Sequence, residues 1–288
     1  MTERSSIQWK TLWRECAAEM LGTFILVLFG VGAVHAAVLT GAQSGLWQVA
    51  VVWGIAVALA IYAVGAISGA HINPAMTIAF AAFRRFPFRK VGPYILSQLA
   101  GAFLAASLLF ALYGGVISRF EQAHNLVRGQ AGSERSAMVY GEYFPNPTAQ
   151  DPSPQTVSLL QAMLAEGVGT AMLAFFVFAV TDRHNPGRPN GTFFAPFIGL
   201  AVAIIISIIA PLTQAGLNPA RDFGPRLLSY LAGWGSIAIP EPRGGFFAVY
   251  ILAPVLGALA GAATYEFVLH IAMRTDATQE KSQEQGDS

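Results

Sequence analysis

Ile72-Asn73-Pro74-Ala75-Met76-Thr77 and Leu217-Asn218-Pro219-Ala220-Arg221-Asp222 open two short apolar pieces, about 74–83 and about 219–232. Neither piece is long enough to cross a bilayer. Asn is a favoured helix N-cap, and Pro fits the first helical position, where its missing N–H costs nothing. Each triplet therefore reads as a helix start. A lone copy would be an ordinary loop-to-helix junction. Two copies 145 residues apart, each followed by a half-length apolar helix, read as a matched pair.

Around the pair lie six apolar segments, near 14–37, 46–67, 91–115, 158–181, 194–213 and 246–270. Each reaches roughly the 20 residues that a spanning helix needs. Hydrophobic residues make up 54% of the chain and charged residues 11%, against about 45–50% and about 25% in a soluble domain. That balance excludes a soluble fold and predicts an all-α integral membrane protein with six transmembrane helices and two re-entrant half-helices. Seventeen Lys and Arg nearly cancel sixteen Asp and Glu, so no net charge recruits nucleic acid. Cys16 is the single cysteine, which excludes an intrachain disulfide and a Cys-based metal site. The five histidines show no ligand spacing. The sequence predicts no metal and no cofactor.

The apolar run from about Cys16 to Leu39 has no small-residue cleavage site after it and reads as the first span rather than a signal peptide. Lys and Arg fix the orientation. With the N-terminus inside, eleven of the seventeen basic residues fall on the cytoplasmic side, including Arg84, Arg85, Arg89, Lys90, Arg183 and Arg188. Six, Arg221 among them, fall on the other. Both termini are predicted cytoplasmic, in a multi-pass protein of the plasma (inner) membrane. The tail, Thr275 to Ser288, is polar and predicted disordered.

The chain repeats itself. Ala18-Glu19-Met20-Leu21-Gly22-Thr23 returns as Ala165-Glu166-Gly167-Val168-Gly169-Thr170, 147 residues on. Tyr94-Ile95-Leu96 with Gly101 returns as Tyr250-Ile251-Leu252 with Gly257, 156 residues on. The Asn-Pro-Ala triplets fall in the same order between them. The expected layout is a cytoplasmic N-terminus (1–13), a first repeat of three spans (14–118), an extracellular loop (119–157), a second repeat (158–273) and the tail (274–288). Three spans per repeat invert the second copy, and inverted repeats share a site near the bilayer midplane built from interrupted helices. Non-helical backbone at that depth is tolerated only where it is buried or lines a watery cavity.

Both positive helix ends then meet at the membrane centre. Asn73 and Asn218 use their amide oxygens locally and are expected to offer NH₂ groups to a pore. A hydroxyl or water oxygen accepts such bonds, whereas a cation is repelled.

Ser68-Gly69-Ala70-His71-Ile72-Asn73-Pro74-Ala75 and Gly216-Leu217-Asn218-Pro219-Ala220-Arg221-Asp222-Phe223-Gly224-Pro225-Arg226 resemble the two signatures of the aquaporin, or major intrinsic protein, family. The resemblance covers nearly the whole chain. Asp222 after Arg221, Phe120-Glu121-Gln122-Ala123-His124 and Phe144-Pro145-Asn146-Pro147 are similar to the glycerol-facilitator (aquaglyceroporin) branch. The resemblance implies a homotetramer with one pore per subunit, carrying glycerol, water and other small neutral solutes passively while excluding ions and protons. It implies Asn73, Pro74, Ala75, Asn218, Pro219 and Ala220 at the pore centre. It further implies a selectivity filter of Trp53, Ile206, Ala215 and Arg221, with Ile205 or Ser207 as alternatives to Ile206.

The best-known glycerol facilitators carry Gly where Ile206 falls and Phe where Ala215 falls. The Trp, aliphatic, Ala, Arg set is instead similar to the nodulin-26-like branch, which implies neutral metalloid acids as alternative solutes. Glu19 and Glu166, at symmetric positions in apolar helices, are expected to brace the re-entrant loops through backbone N–H groups. Asp222 is expected to pair structurally, and His71 to contribute backbone rather than its imidazole. Gly257 and Gly261 read as a close helix-packing pair. An ion-coupled secondary transporter is the competing class, since it too uses inverted repeats and broken helices. A membrane enzyme is the weaker alternative, because no nucleophile–base constellation shows.

Overall fold

A computed structural model describes residues 3–84, 86–147, 157–240 and 245–274. The expected disordered tail beyond 274 and part of the 119–157 loop lie outside the described residues. Eight helices organise the described chain: α1 (Glu3–His35), α2 (Leu46–Ser68), α3 (Pro74–Phe83), α4 (Phe88–Ala123), α5 (Leu159–Thr181), α6 (Phe194–Thr213), α7 (Pro219–Ser229) and α8 (Gly245–Arg274). All but α3 and α7 are long and apolar enough to cross a membrane. α1 runs on as one wide turn, Ala36–Thr40, and α4 extends eight residues past the expected 115. α7 stops at Ser229, short of the expected 232, and passes into a wide turn over Tyr230–Trp234 that contains Gly233 at φ 107°.

Local chemistry sets several boundaries. Gly69, with φ 87°, closes α2 by donating its N–H to Gly65 O, and Ser158 with Gln161 forms a capping box on α5. Along α5, Leu160, Leu164, Val168, Met172 and Phe176 recur every four residues on an exposed stripe. Leu104, Leu108 and Leu112 do the same on α4. Such stripes suit lipid rather than water.

The duplication is visible in the packing. α1 packs on α4 and α2, as α5 packs on α8 and α6, while the half-helices cross over: α3 rests on α8 and α7 on α4. α2 meets α6 on the pseudo-twofold axis, where Gly54 and Gly199 face each other's carbonyls. A methyl at Gly101 would strike Met20 O, and one at Gly257 would strike Gly167 O. Gly261 faces Ala171 O in the same way, so the Gly257/Gly261 pair lets α8 lie directly on α5.

Candidate functional site

The two re-entrant loops meet back to back. Asn73 caps α3 with its side-chain oxygen on Ala75 N at 2.9 Å, and Asn218 caps α7 through Ala220 N (3.0 Å) and Arg221 N (3.2 Å). The NH₂ groups do not point only into open space, as the sequence suggested. Asn73 Nδ2 donates to Leu217 O at 3.0 Å and Asn218 Nδ2 to Ile72 O at 2.8 Å. Each amide spends one N–H tying its loop to the other and retains one, since an amide NH₂ carries two donors.

Ahead of each triplet the backbone is left-handed at non-glycine residues: Ala70 and Ile72 in the first loop, Ala215 and Leu217 in the second. That conformation costs an L-residue roughly 1–2 kcal/mol. Two buried carboxylates offset it. Glu19 accepts from His71 N (2.9 Å), Ile72 N (2.7 Å) and Gln98 Nε2 (2.7 Å). Glu166 accepts from Gly216 N (2.9 Å), Leu217 N (2.7 Å) and Thr213 Oγ1 (2.6 Å). Tyr94 OH donates to Ser68 O, and its repeat counterpart Tyr250 OH to Thr213 O, just upstream of each loop. The repeated Tyr-Ile-Leu triplet held that second pair in plain sight. The His71 ring packs among Phe80, Phe86 and Tyr94, with Nδ1 3.3 Å from Thr77 Oγ1.

A cavity follows these loops through the bundle, from Thr181 and Phe194 at one end to Trp53, Ile206 and Arg221 at the other. One wall is apolar, with Val57, Met76, Leu173 and Val202 along it; the other is the backbone of 69–72 and 215–217 with both Asn amides. A second cavity beneath segment 124–147 shares Trp53, Ile206 and Arg221 with the first. The four residues implied for the filter thus sit where the two cavities meet, Ala215 on the inner side. Neither alternative to Ile206 lies there. Ile205 packs toward the Gly169 position, and Ser207 Oγ is turned back to Ile204 O at 2.7 Å.

Arg221 Cζ lies 4.3 Å from the Trp53 ring centroid, a cation–π contact. Its Nη2 is ion-paired with Glu142, while buried Nη1 has no hydrogen-bond partner among the described residues. Glu142 comes from the segment between α4 and α5 and was not legible as a site residue. Asp222 faces away from the cavity: it takes Glu142 N at 2.8 Å and Arg226 Nε at 2.7 Å. Fully buried Arg226 also donates to Ala238 O at 2.9 Å and to Glu142 O, with the Tyr143, Phe246 and Tyr250 rings about it. Arg226 thereby anchors the backbone that delivers Glu142. Its signal in the sequence was a second arginine one turn after Asp222.

Comparison with known proteins agrees with this geometry. A glycerol uptake facilitator protein of Pseudomonas aeruginosa is 45% identical over 260 residues, covering 90% of each chain. A propanediol uptake facilitator of Citrobacter freundii is 43% identical over 260 residues, 90% of this chain and 93% of its own. The X-ray structure of the aquaglyceroporin from Plasmodium falciparum superposes with a TM-score of 0.78 at 27% identity, covering 92% of this chain and 99% of that one. The major intrinsic protein family matches residues 6–265, and the chain belongs to that family.

Proposed function

We propose that this protein is a passive channel for glycerol, water and similar small neutral solutes, and not an enzyme or a coupled transporter. The supporting observation is the two-sided cavity. A linear polyol has a hydrocarbon edge and a hydroxyl edge, and the apolar wall faces a wall of backbone and Asn amides. Each unmatched hydroxyl would cost roughly 1–3 kcal/mol in a dry passage, so a continuous polar wall lowers that barrier without holding the solute tightly. The buried carboxylates argue against ion coupling, because Glu19, Glu166, Asp222 and Glu142 are each engaged by protein donors. The relatives named as glycerol and propanediol facilitators support a polyol as the solute.

In this reading Trp53, Ile206, Ala215 and Arg221 form the filter, Glu19 and Glu166 brace the loops, and Asp222 with Arg226 braces Glu142. The protein works as a homotetramer in the plasma membrane with both termini cytoplasmic, which the distribution of Lys and Arg supports. The methyl-sized Ala215 also favours compact neutral metalloid acids as second solutes. Swelling of proteoliposomes in glycerol, water, urea and arsenous acid, with and without a sodium gradient and a protonophore, tests the proposal. Glycerol flux that survives both treatments is expected. Flux abolished by either treatment overturns it.

A further inference from the structure

His184 and His270 are 86 residues apart in sequence, which is why no ligand spacing shows there, yet the fold brings them to one carboxylate. Asp182 directly follows α5, His184 lies two residues on, and His270 is in the last turns of α8. His270 Nδ1 is 2.6 Å from Asp182 Oδ2 and His184 Nδ1 is 3.2 Å from Asp182 Oδ1. The three ligand atoms lie within 4.8 Å of one another. We propose that Asp182, His184 and His270 form a binding site for a divalent transition-metal ion of the zinc class, at the end of the bundle where α5 and α8 finish.

The donor set decides the ion. Two imidazole nitrogens and one carboxylate oxygen suit Zn²⁺ with a fourth position left to water. Calcium and magnesium demand oxygen donors. Donors bound tetrahedrally at about 2.0–2.1 Å stand roughly 3.4 Å apart. The present spacings bracket that value, so closure takes small movements of side-chain ends. His184 is free to make them, with 53% of its side chain exposed, whereas the Asp182 side chain is almost fully enclosed. Outer contacts hold the carboxylate: Tyr265 OH donates to Oδ2 at 2.9 Å and His184 N to Oδ1 at 2.9 Å. Such partners orient a ligand and raise metal affinity.

His270 Nδ1, His184 N–H and Tyr265 OH all converge on the enclosed Asp182 carboxylate. The site therefore presents an anion. Arg84 is the opposing charge nearby, with Nη1 4.0 Å from Asp182 Oδ1. Its Nε is paired to Glu266 at 2.5 Å and its Nη2 donates to Phe178 O at 3.2 Å, so it is held by other partners. A bound ion would fasten the linker between α5 and α6 to α8, next to Thr181 at the cavity's end.

The test uses the full chain without a polyhistidine tag, in detergent, titrated with ZnCl₂ by calorimetry and with CoCl₂ by visible absorption. One saturable ion per chain and the visible bands of four-coordinate cobalt are expected. His184→Ala, at an exposed position, should weaken zinc binding at least as much as loss of an outer-contact partner does, roughly 10- to 100-fold. His270→Gln should remove the cobalt bands. Gel filtration and glycerol flux of both variants report that they assemble. Absence of saturable binding, or binding unchanged in the two assembled variants, would overturn the site and leave the cluster as a hydrogen-bonded clasp between α5 and α8.

Discussion

The Glu142 carboxylate is ion-paired with Arg221 Nη2, both side chains buried, so a segment outside the helices touches the proposed filter directly. Burial raises the Glu142 pKa; Arg221 lowers it, Asp222 raises it and Arg226 lowers it, and the result lies up at about 8. A folded-state pKa above the ordinary 4.5 means that folding takes up a proton over that interval. The group's contribution to stability is complete below about pH 4.5 and is lost as pH rises through about 8. Chemical unfolding in detergent should therefore show stability falling between about pH 5 and about pH 9, with a shallower fall in Glu142→Gln. Identical slopes in the two proteins would remove Glu142 as the source.

Gly30 on α1 sets the position of the Trp53 ring, the aromatic wall of the proposed filter. A methyl there would overlap Cε3 and Cζ3 of Trp53, a ring that lines both cavities. Overpacking of this kind costs typically 1–3 kcal/mol and displaces the softer partner. Gly30→Ala should push the ring toward the passage and slow glycerol by about tenfold, a barrier increase of about 1.4 kcal/mol, while water slows less. Equal slowing of both solutes would mean that the ring moves elsewhere.

The twin braces should behave as twins. Glu19→Ala strands the N–H groups of His71 and Ile72 and the Gln98 amide; Glu166→Ala strands those of Gly216 and Leu217 and the Thr213 hydroxyl. Hydrogen bonds to charged groups contribute about 1.5–3 kcal/mol each, so each variant should lose several kcal/mol. Thermal unfolding of the two should shift downward by similar amounts. A loss confined to one variant would break the symmetry argument.

The parts of the site legible in sequence are those the duplication wrote twice. Glu19 and Glu166 stood out because carboxylates in apolar helices at matching positions need matching partners, and the loop N–H groups provide them. The Asn caps followed from helix-start chemistry alone. Their cross-bonds to Leu217 O and Ile72 O did not, because how closely two loops approach is a tertiary fact. Glu142 was hidden for a different reason. It lies in a single-copy segment with no periodicity, and tertiary bonds, among them those of the buried Asp222–Arg226 pair, bring it to Arg221. His184 and His270 were hidden by their separation along the chain.

Ala215→Phe would replace a methyl with a ring at the inner side of the proposed filter, where Ala215 is buried and lines the cavity. Flux of polyols larger than glycerol should fall more than flux of water in the same vesicles. Uniform slowing would place Ala215 outside the constriction.

Arg221 combines a charge, a donor and a brace, and substitutions can separate them. Arg221→Lys keeps a cation that can still face Glu142 but loses the planar fork that pairs Nη2 with Glu142 while holding Nη1 as a second donor. Ion exclusion should persist while discrimination among polyols degrades. Arg221→Val removes the cation and leaves Glu142 buried without its partner, and where that carboxyl is ionised breaking such a pair costs about 3–5 kcal/mol. Arg221 lowers the Glu142 pKa, so without it the carboxyl ionises only above about pH 8; there the carboxylate would favour cations beside the cavity, and a proton or cation leak that grows with pH is expected. In Arg221→Val with Glu142→Gln the buried charge is gone as well. That double variant should recover part of the lost stability and leak less than Arg221→Val, although it too lacks the positive barrier. Assembly by gel filtration, unfolding in detergent and ion flux in proteoliposomes measure all three quantities. If the double variant leaks as much as the single one, the leak comes from the missing arginine alone, and Glu142 has no part in setting the charge of the filter.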